Sequence, residues 1–304
     1  MRIGLMAGAT AATGNSLKDI VEFSKTAEQR GFDNIWVANA FGFDAIGAIA
    51  IAGWETSRIQ FGTAVTPTYP RHPLALAQQA LTTSVACDGR FTLGIGLSHK
   101  LVIEDMFGMS YDKPAKHMRE YIDVLTPLLK GETVNYSGEQ YKVNGSLNIS
   151  GASEVPLIIA ALGPLMLKIA GTYADGTTLW VTGPKTIAAH IVPAISKAAS
   201  AAGKGAPRIV AGLPIVVTND VAAAKFKIAE DLKIYGMLPS YRAMLDREGA
   251  GGPEDVAIIG DAAMVKEGIA KLRDAGVTDF NAAIVPIEEG SLEATLDVLQ
   301  SELN

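Results

Sequence analysis

The sequence predicts a closed (β/α)8 TIM barrel, one α/β domain over residues 1–304. Three observations lead there. Short β-rich apolar runs alternate with helical patterns along most of the chain. The runs are apolar throughout rather than at every second residue, as strands are when helices cover both faces of a parallel sheet. Eight of them fit into 304 residues, a length suited to this barrel. An open doubly wound sheet is the alternative architecture.

Taken in order, the first run is Ile3-Gly4-Leu5-Met6. Ser16-Leu17-Lys18-Asp19 then reads as a capping box, Leu17, Ile20, Val21 and Ala27 form one helical face, and Gly31 ends the helix. Ile35–Val37 is the second run, followed by a helix of small residues from about Asp44 to Thr56. The third is Ile59–Val65. Pro73 suits a first helical position, with Leu74, Ala77, Leu81 and Val85 on one face. After the fourth run, Phe91–Gly96, the residues Met118, Tyr121, Ile122, Leu125, Leu128 and Leu129 keep helical spacing up to Gly131. Residues 132–155 read as a polar hairpin inserted after strand four. Leu157–Ala160 and Thr178–Val181 are runs five and six, the latter trailed by Ile187, Ile191, Ile195 and Ala198. Ile209–Val217 and Phe280–Val285 complete the eight, and Leu292, Leu296 and Leu299 mark a last helix. Residues 218–278 are too long for one crossover and read as a helical insertion between strands seven and eight, with helices from about Val221 and Ala262.

Composition narrows the function. The net charge is −6 and the basic residues are scattered, so the chain offers no surface for releasing counterions from nucleic acid. No stretch of ~18 uncharged apolar residues is present to span a membrane. Cys87 is the single cysteine, which excludes an internal disulfide and a thiolate zinc cluster and fits a cytoplasmic protein. A charged fraction of 19% and a mean hydropathy of +0.22 suggest more apolar surface than a monomer buries, hence a homo-oligomer.

A barrel places its chemistry at the carboxyl ends of its strands. There is no P-loop, no G-x-S-x-G elbow, no complete dinucleotide-binding fingerprint and no H-x-x-x-H spacing, so no metal is called for. Ser98-His99-Lys100 ends strand four. His99 there suits a general acid or base, because its ordinary pKa is close to neutrality; a histidine bonded to a rim carbonyl is the plainer reading. Ala161-Leu162-Gly163-Pro164 leads from strand five into a helix whose free N–H groups suit an anion, and Val181-Thr182-Gly183 repeats the device after strand six. Ordinary strand-to-helix turns read the same way.

These residues are similar to a known family. Met1–Met6, Gly62–Thr66 leading into Arg71-His72-Pro73, Gly89–Gly96, and Ala160–Pro164 with Ala174-Asp175-Gly176 resemble the luciferase-like flavin and deazaflavin oxidoreductases, and more narrowly the members dependent on coenzyme F-420. The resemblance implies a homodimer and a deazaflavin ring lying across the barrel mouth. It implies a non-prolyl cis peptide in a bulge after strand three, at Ala64–Val65 beside Thr63, backing the ring. It places Asn39 where some relatives carry an acidic residue near the ring. That departure at Asn39 argues against the sugar-phosphate dehydrogenase activity of one branch, and His99 stands where the same branch has an acidic catalytic residue. The cofactor's phosphate is expected at Gly163 and at Thr182-Gly183. The implied reaction is hydride transfer between carbon-5 of F-420 and a C=C, C=N or C–OH group of a small organic substrate. An FMN-dependent monooxygenase of the same fold and a non-catalytic cofactor-binding member are the alternatives.

Overall fold

In the computed structural model, which describes residues 1–8 and 11–303, eight strands pair in parallel. They are β1 (Arg2–Ala7), β2 (Asn34–Val37), β3 (Gln60–Thr63), β4 (Phe91–Gly96), β5 (Leu157–Ala160), β6 (Gly176–Trp180), β7 (Arg208–Val217) and β8 (Asp279–Ile284). Each pairs with the next in sequence, and β8 returns to β1, so the sheet closes on itself. The helices that follow are α1 (Leu17–Gln29), α2 (Ala45–Trp54), α3 (Pro73–Ala86), α4 (Pro114–Leu129), α5 (Pro164–Tyr173), α6 (Val192–Ala201), α7 (Val221–Asp231), α8 (Lys233–Met237), α9 (Pro239–Glu248), α10 (Ala262–Asp274) and α11 (Ser291–Ser301). None of them among the described residues is long and apolar enough to cross a membrane.

Local chemistry accounts for the element ends. Ser16 and Asp19 form the reciprocal capping box on α1. Asp44 caps α2, and Pro73 opens α3. The predicted hairpin is present as Val134–Ser137 against Lys142–Gly145. The third apolar run is a strand up to Thr63, bulges through a cis Ala64–Val65 peptide as the resemblance implied, and resumes at Thr66–Pro67 against the end of β4. One expectation needs correction: the segment 218–278 is not one insertion. α10 buries Val265, Ile269 and Leu272 as an ordinary crossover helix, and Ile258–Gly260 pairs with the end of β7. The inserted part is therefore α7 to α9 and the turn after them.

The barrel interior is filled, as its size requires. At the amino-terminal end, buried Asp279 receives Arg208 through two hydrogen bonds of 2.9 and 2.7 Å, Arg2 at 2.8 Å and the Asn34 amide at 3.3 Å. Burial pushes its carboxyl up, but the two guanidinium groups outweigh this and hold it below the usual carboxylate range. Above it Trp36 packs with Ile158 and Val210. A Cβ on Gly62 would lie 2.2 Å from the Trp36 ring, so only glycine leaves the indole its place. Charge at this end serves stability, and the mouth lies opposite.

Candidate active site

The mouth has a floor of small residues. Ala64 follows β3, and Gly96 and Ala160 end β4 and β5. A Cβ on Gly96 would come within 2.5 Å of Val65 Cγ2 and 3.3 Å of Ala160 Cβ. Val65 and Ala160 thus close over Gly96 and form a low, apolar floor. Thr63 supports it from below. Its hydroxyl donates to the Gly94 carbonyl at 2.7 Å and accepts from the Gly94 N–H at 2.9 Å, with no exposure. This corrects the expectation that Thr63 touches a ligand, because its bonds tie the bulge to β4.

His99 rises beside the platform from the end of β4. Ser98 before it has φ +59°, uncommon for a residue other than glycine, and its carbonyl accepts from the Tyr111 hydroxyl at 3.2 Å. The left-handed turn redirects the chain and brings the imidazole against two tyrosines of the insertion, Tyr241 at 5.8 Å and Tyr235 at 6.1 Å between ring centroids. Tyr235 and Tyr241 meet edge to face at 5.0 Å, and Trp180 from the end of β6 approaches Tyr235 at 6.2 Å. Burial holds His99 below the usual histidine pKa, so the ring is neutral at pH 7. Its nitrogens have no hydrogen-bond partner among the described residues. Burial raises both tyrosines, so their hydroxyls stay protonated. Lys100 is exposed and pairs with Glu104 at 3.7 Å.

The two turns expected to bind an anion differ. Gly163 caps α5 with extended backbone and no side-chain hydrogen bond, and nothing lies within 4 Å of the position a Cβ would take. No side chain caps the first turn of α5. His190 fixes this turn, its Nε2–H donating to the Leu162 carbonyl at 2.9 Å; a carbonyl partner dictates the tautomer. At Gly183 the position is already filled. The Glu248 carboxylate accepts from Lys185 N–H at 3.1 Å and Thr186 N–H at 2.7 Å, and a Cβ on Gly183 would strike it at 2.3 Å. The expectation of a free anion site at Thr182-Gly183 is corrected accordingly.

Other expected residues sort by exposure. Ala161, Val181 and Thr182 are buried and reach the mouth only through backbone; the Thr182 hydroxyl donates to the Trp180 carbonyl at 3.2 Å. Val181 also has positive φ, +50°. Leu162, Ala64, Val65, Ser98 and His99 are half-buried at the mouth, and Pro164 is exposed at the first turn of α5. Asn39 is half-buried but its Oδ1 accepts from the Ala45 N–H at 3.0 Å, so that oxygen holds the start of α2. A separate cavity of about 440 Å³ beside Tyr69 and His117 is lined by Glu139, Gln140 and Tyr141. His117 there bonds Thr68 at 2.9 Å and Gln140 at 3.1 Å through its two nitrogens and holds structure. The sequence did not mark Trp180, His190, Tyr235, Tyr241 or Glu248. Only the two tyrosines carried a signal, as aromatic residues in a long insertion at the mouth.

A closed parallel barrel flanked by helices, with a floor of small apolar residues at its mouth, defines an α/β-barrel protein of the TIM type. The model of the luciferase-like monooxygenase family matches residues 1–279, and the chain belongs to that family. It is 29% identical over 262 residues to the 5,10-methylenetetrahydromethanopterin reductase of Methanolobus tindarius, covering 86% of this chain and 79% of that one. It is 30% identical over 202 residues to an F-420-dependent glucose-6-phosphate dehydrogenase of Amycolatopsis mediterranei, covering 62% of this chain and 61% of that one. The structure of the coenzyme F-420-dependent tetrahydromethanopterin reductase of Methanopyrus kandleri superposes with a TM-score of 0.82 at 24% identity, over 99% and 98% of the two chains, and establishes the fold.

Proposed function

We propose that the protein is a coenzyme F-420-dependent oxidoreductase that moves a hydride between the deazaflavin and a small organic substrate. The observation that carries this reading is the pairing of a flat apolar floor, Ala64–Val65 with Gly96 and Ala160, with a helix start at Gly163 that no side chain caps, three residues beyond Ala160. A planar ring with an anionic tail fits the two together. The sequence relatives above support the deazaflavin over FMN. When bound, the deazaflavin supplies a two-electron hydride donor or acceptor at carbon-5.

The chain's own residues supply the rest. Leu162 and Gly163 hold the tail, with His190 locking the turn. Ala64, Val65 and Ala160 support the ring. Neutral His99 accepts the proton of a C–OH group as its hydride departs, and returns it in the reverse direction. Tyr235, Tyr241 and Trp180 wall the substrate off from water. The deciding experiment is fluorescence titration of the purified chain with oxidised F-420, FMN and NADPH. Micromolar or tighter F-420 binding is expected, with FMN and NADPH weaker. FMN binding as tight as F-420 moves the reading to a monooxygenase.

The protein works in this reading as a homodimer through α2 and α3. Neither helix contains a charged residue, they pack side by side, and their outer face exposes Ile51, Trp54 and Val85. Apolar faces of this kind seek a partner.

A further inference from the structure

The loops around the barrel mouth hold many of the exposed large apolar side chains. Phe41 follows β2. Leu101, Met106 and Phe107 follow β4, on a segment wound in part as a π-helix (Val102–Met106). Ile234 and Met237 come from α8. Phe41, Met106 and Met237 are 72%, 61% and 68% exposed. Scattered apolar residues on a surface need no explanation. These residues come from three distant stretches of chain that follow strand ends at the mouth or belong to the insertion between β7 and β8. The segment after β4 and α8 meet through the His99–Tyr235 ring contact, which sets the apolar residues of both beside the candidate site. A second, independent feature points the same way. The neighbouring turn at Gly183, whose N–H groups suit an anion, is closed to one by the Glu248 carboxylate.

We propose that the substrate is an uncharged organic molecule with a sizeable apolar body. Its reacting carbon sits beside His99, and its body lies against Leu101, Met106, Phe107 and Met237. This rests on the F-420-dependent reading above and names the substrate class of that same site. A phosphorylated or carboxylated substrate fits poorly. It has either to displace Glu248 from two backbone N–H groups or to set a charge against apolar side chains, losing its hydration without a partner. Burial of each added methylene against the rim tightens binding by about fourfold.

The test is calorimetric binding to the F-420-loaded protein of a ketone series from acetone to 2-decanone, with 9-oxodecanoate as the charged counterpart of the longest member. Affinity is expected to climb by about fourfold per methylene over the first several carbons. 9-Oxodecanoate should bind at least about tenfold more weakly than 2-decanone. Met106→Asp and Met237→Asp should each weaken 2-decanone by about tenfold or more while leaving the F-420 affinity and the acetone affinity in place. A flat series, or tighter binding of 9-oxodecanoate, overturns the proposal while leaving the F-420 reading intact. So does a Met237→Asp variant that changes oligomeric state by light scattering without moving the 2-decanone affinity, since the rim is then a contact between copies. A chain that takes up no F-420 refutes the underlying reading instead.

Discussion

Replacing Glu248 with alanine frees the short helical turn Pro184–Thr186 that leads toward α6. The carboxylate accepts two backbone N–H groups, at 3.1 and 2.7 Å, and this is the work of an N-cap carried out from another helix. Loss of such a cap costs about 0.5–2 kcal/mol. Glu248 is half-buried, so solvent recovers part of the loss, and about 1 kcal/mol is the working figure. For a chain of this size that lowers Tm by about 1–2 °C. The F-420 affinity should change by less than about twofold, because the tail is placed at Gly163. Gly163→Val is the matched opposite. Its φ of −80° suits any residue, and no atom lies within 4 Å of its Cβ position, so the apo Tm should hold. The valine side chain nevertheless blocks an anion from the α5 terminus, and F-420 binding should weaken by about tenfold or more. Differential scanning fluorimetry and F-420 fluorescence titration on both variants make the comparison. If Glu248→Ala weakens F-420 as severely as Gly163→Val does, the tail bridges both turns and the assignment of Glu248 is wrong.

Three further outcomes are expected. His99→Ala should keep its fold and most of its F-420 affinity but lose about tenfold or more in turnover; near-normal turnover in His99→Asn would reduce His99 to a buttress. His99 and His117 are both held below the ordinary histidine pKa by burial, so the unfolded chain binds more protons than the folded one below about pH 6.5. Stability should therefore be full above that pH and fall as acid is added toward the folded values, and urea denaturation from pH 7.5 to 5 that shows no such fall contradicts the burial argument. Trp54→Asp should convert a dimer to a monomer by light scattering and make Tm independent of protein concentration, whereas a dimer that persists moves the interface away from α2 and α3.

Much of this protein was legible in its residues. The barrel followed from eight continuous apolar runs, because strands enclosed on both faces lose the alternation that otherwise marks them. Helix starts at Ser16 and Pro73 followed from local chemistry that acts within four residues. The position of His99 at the mouth followed from the end of a strand. Adjacent residues divided in ways the string of letters does not express. Thr63 and Ala64 are neighbours, yet one is spent on Gly94 beneath the floor and the other forms it, since successive strand residues face opposite sides. Gly163-Pro164 and Gly183-Pro184 read as the same device. They part because Glu248, 65 residues beyond Gly183, folds back onto one and not the other. The aromatic wall around His99 has the same origin, with Tyr235 and Tyr241 arriving from an insertion more than 130 residues downstream. Periodicity, caps and strand ends are set by near neighbours and are written in the sequence. Which terminus stays open for an anion, and which side chains surround the reacting group, depends on contacts between segments far apart in the chain, and packing alone decides those.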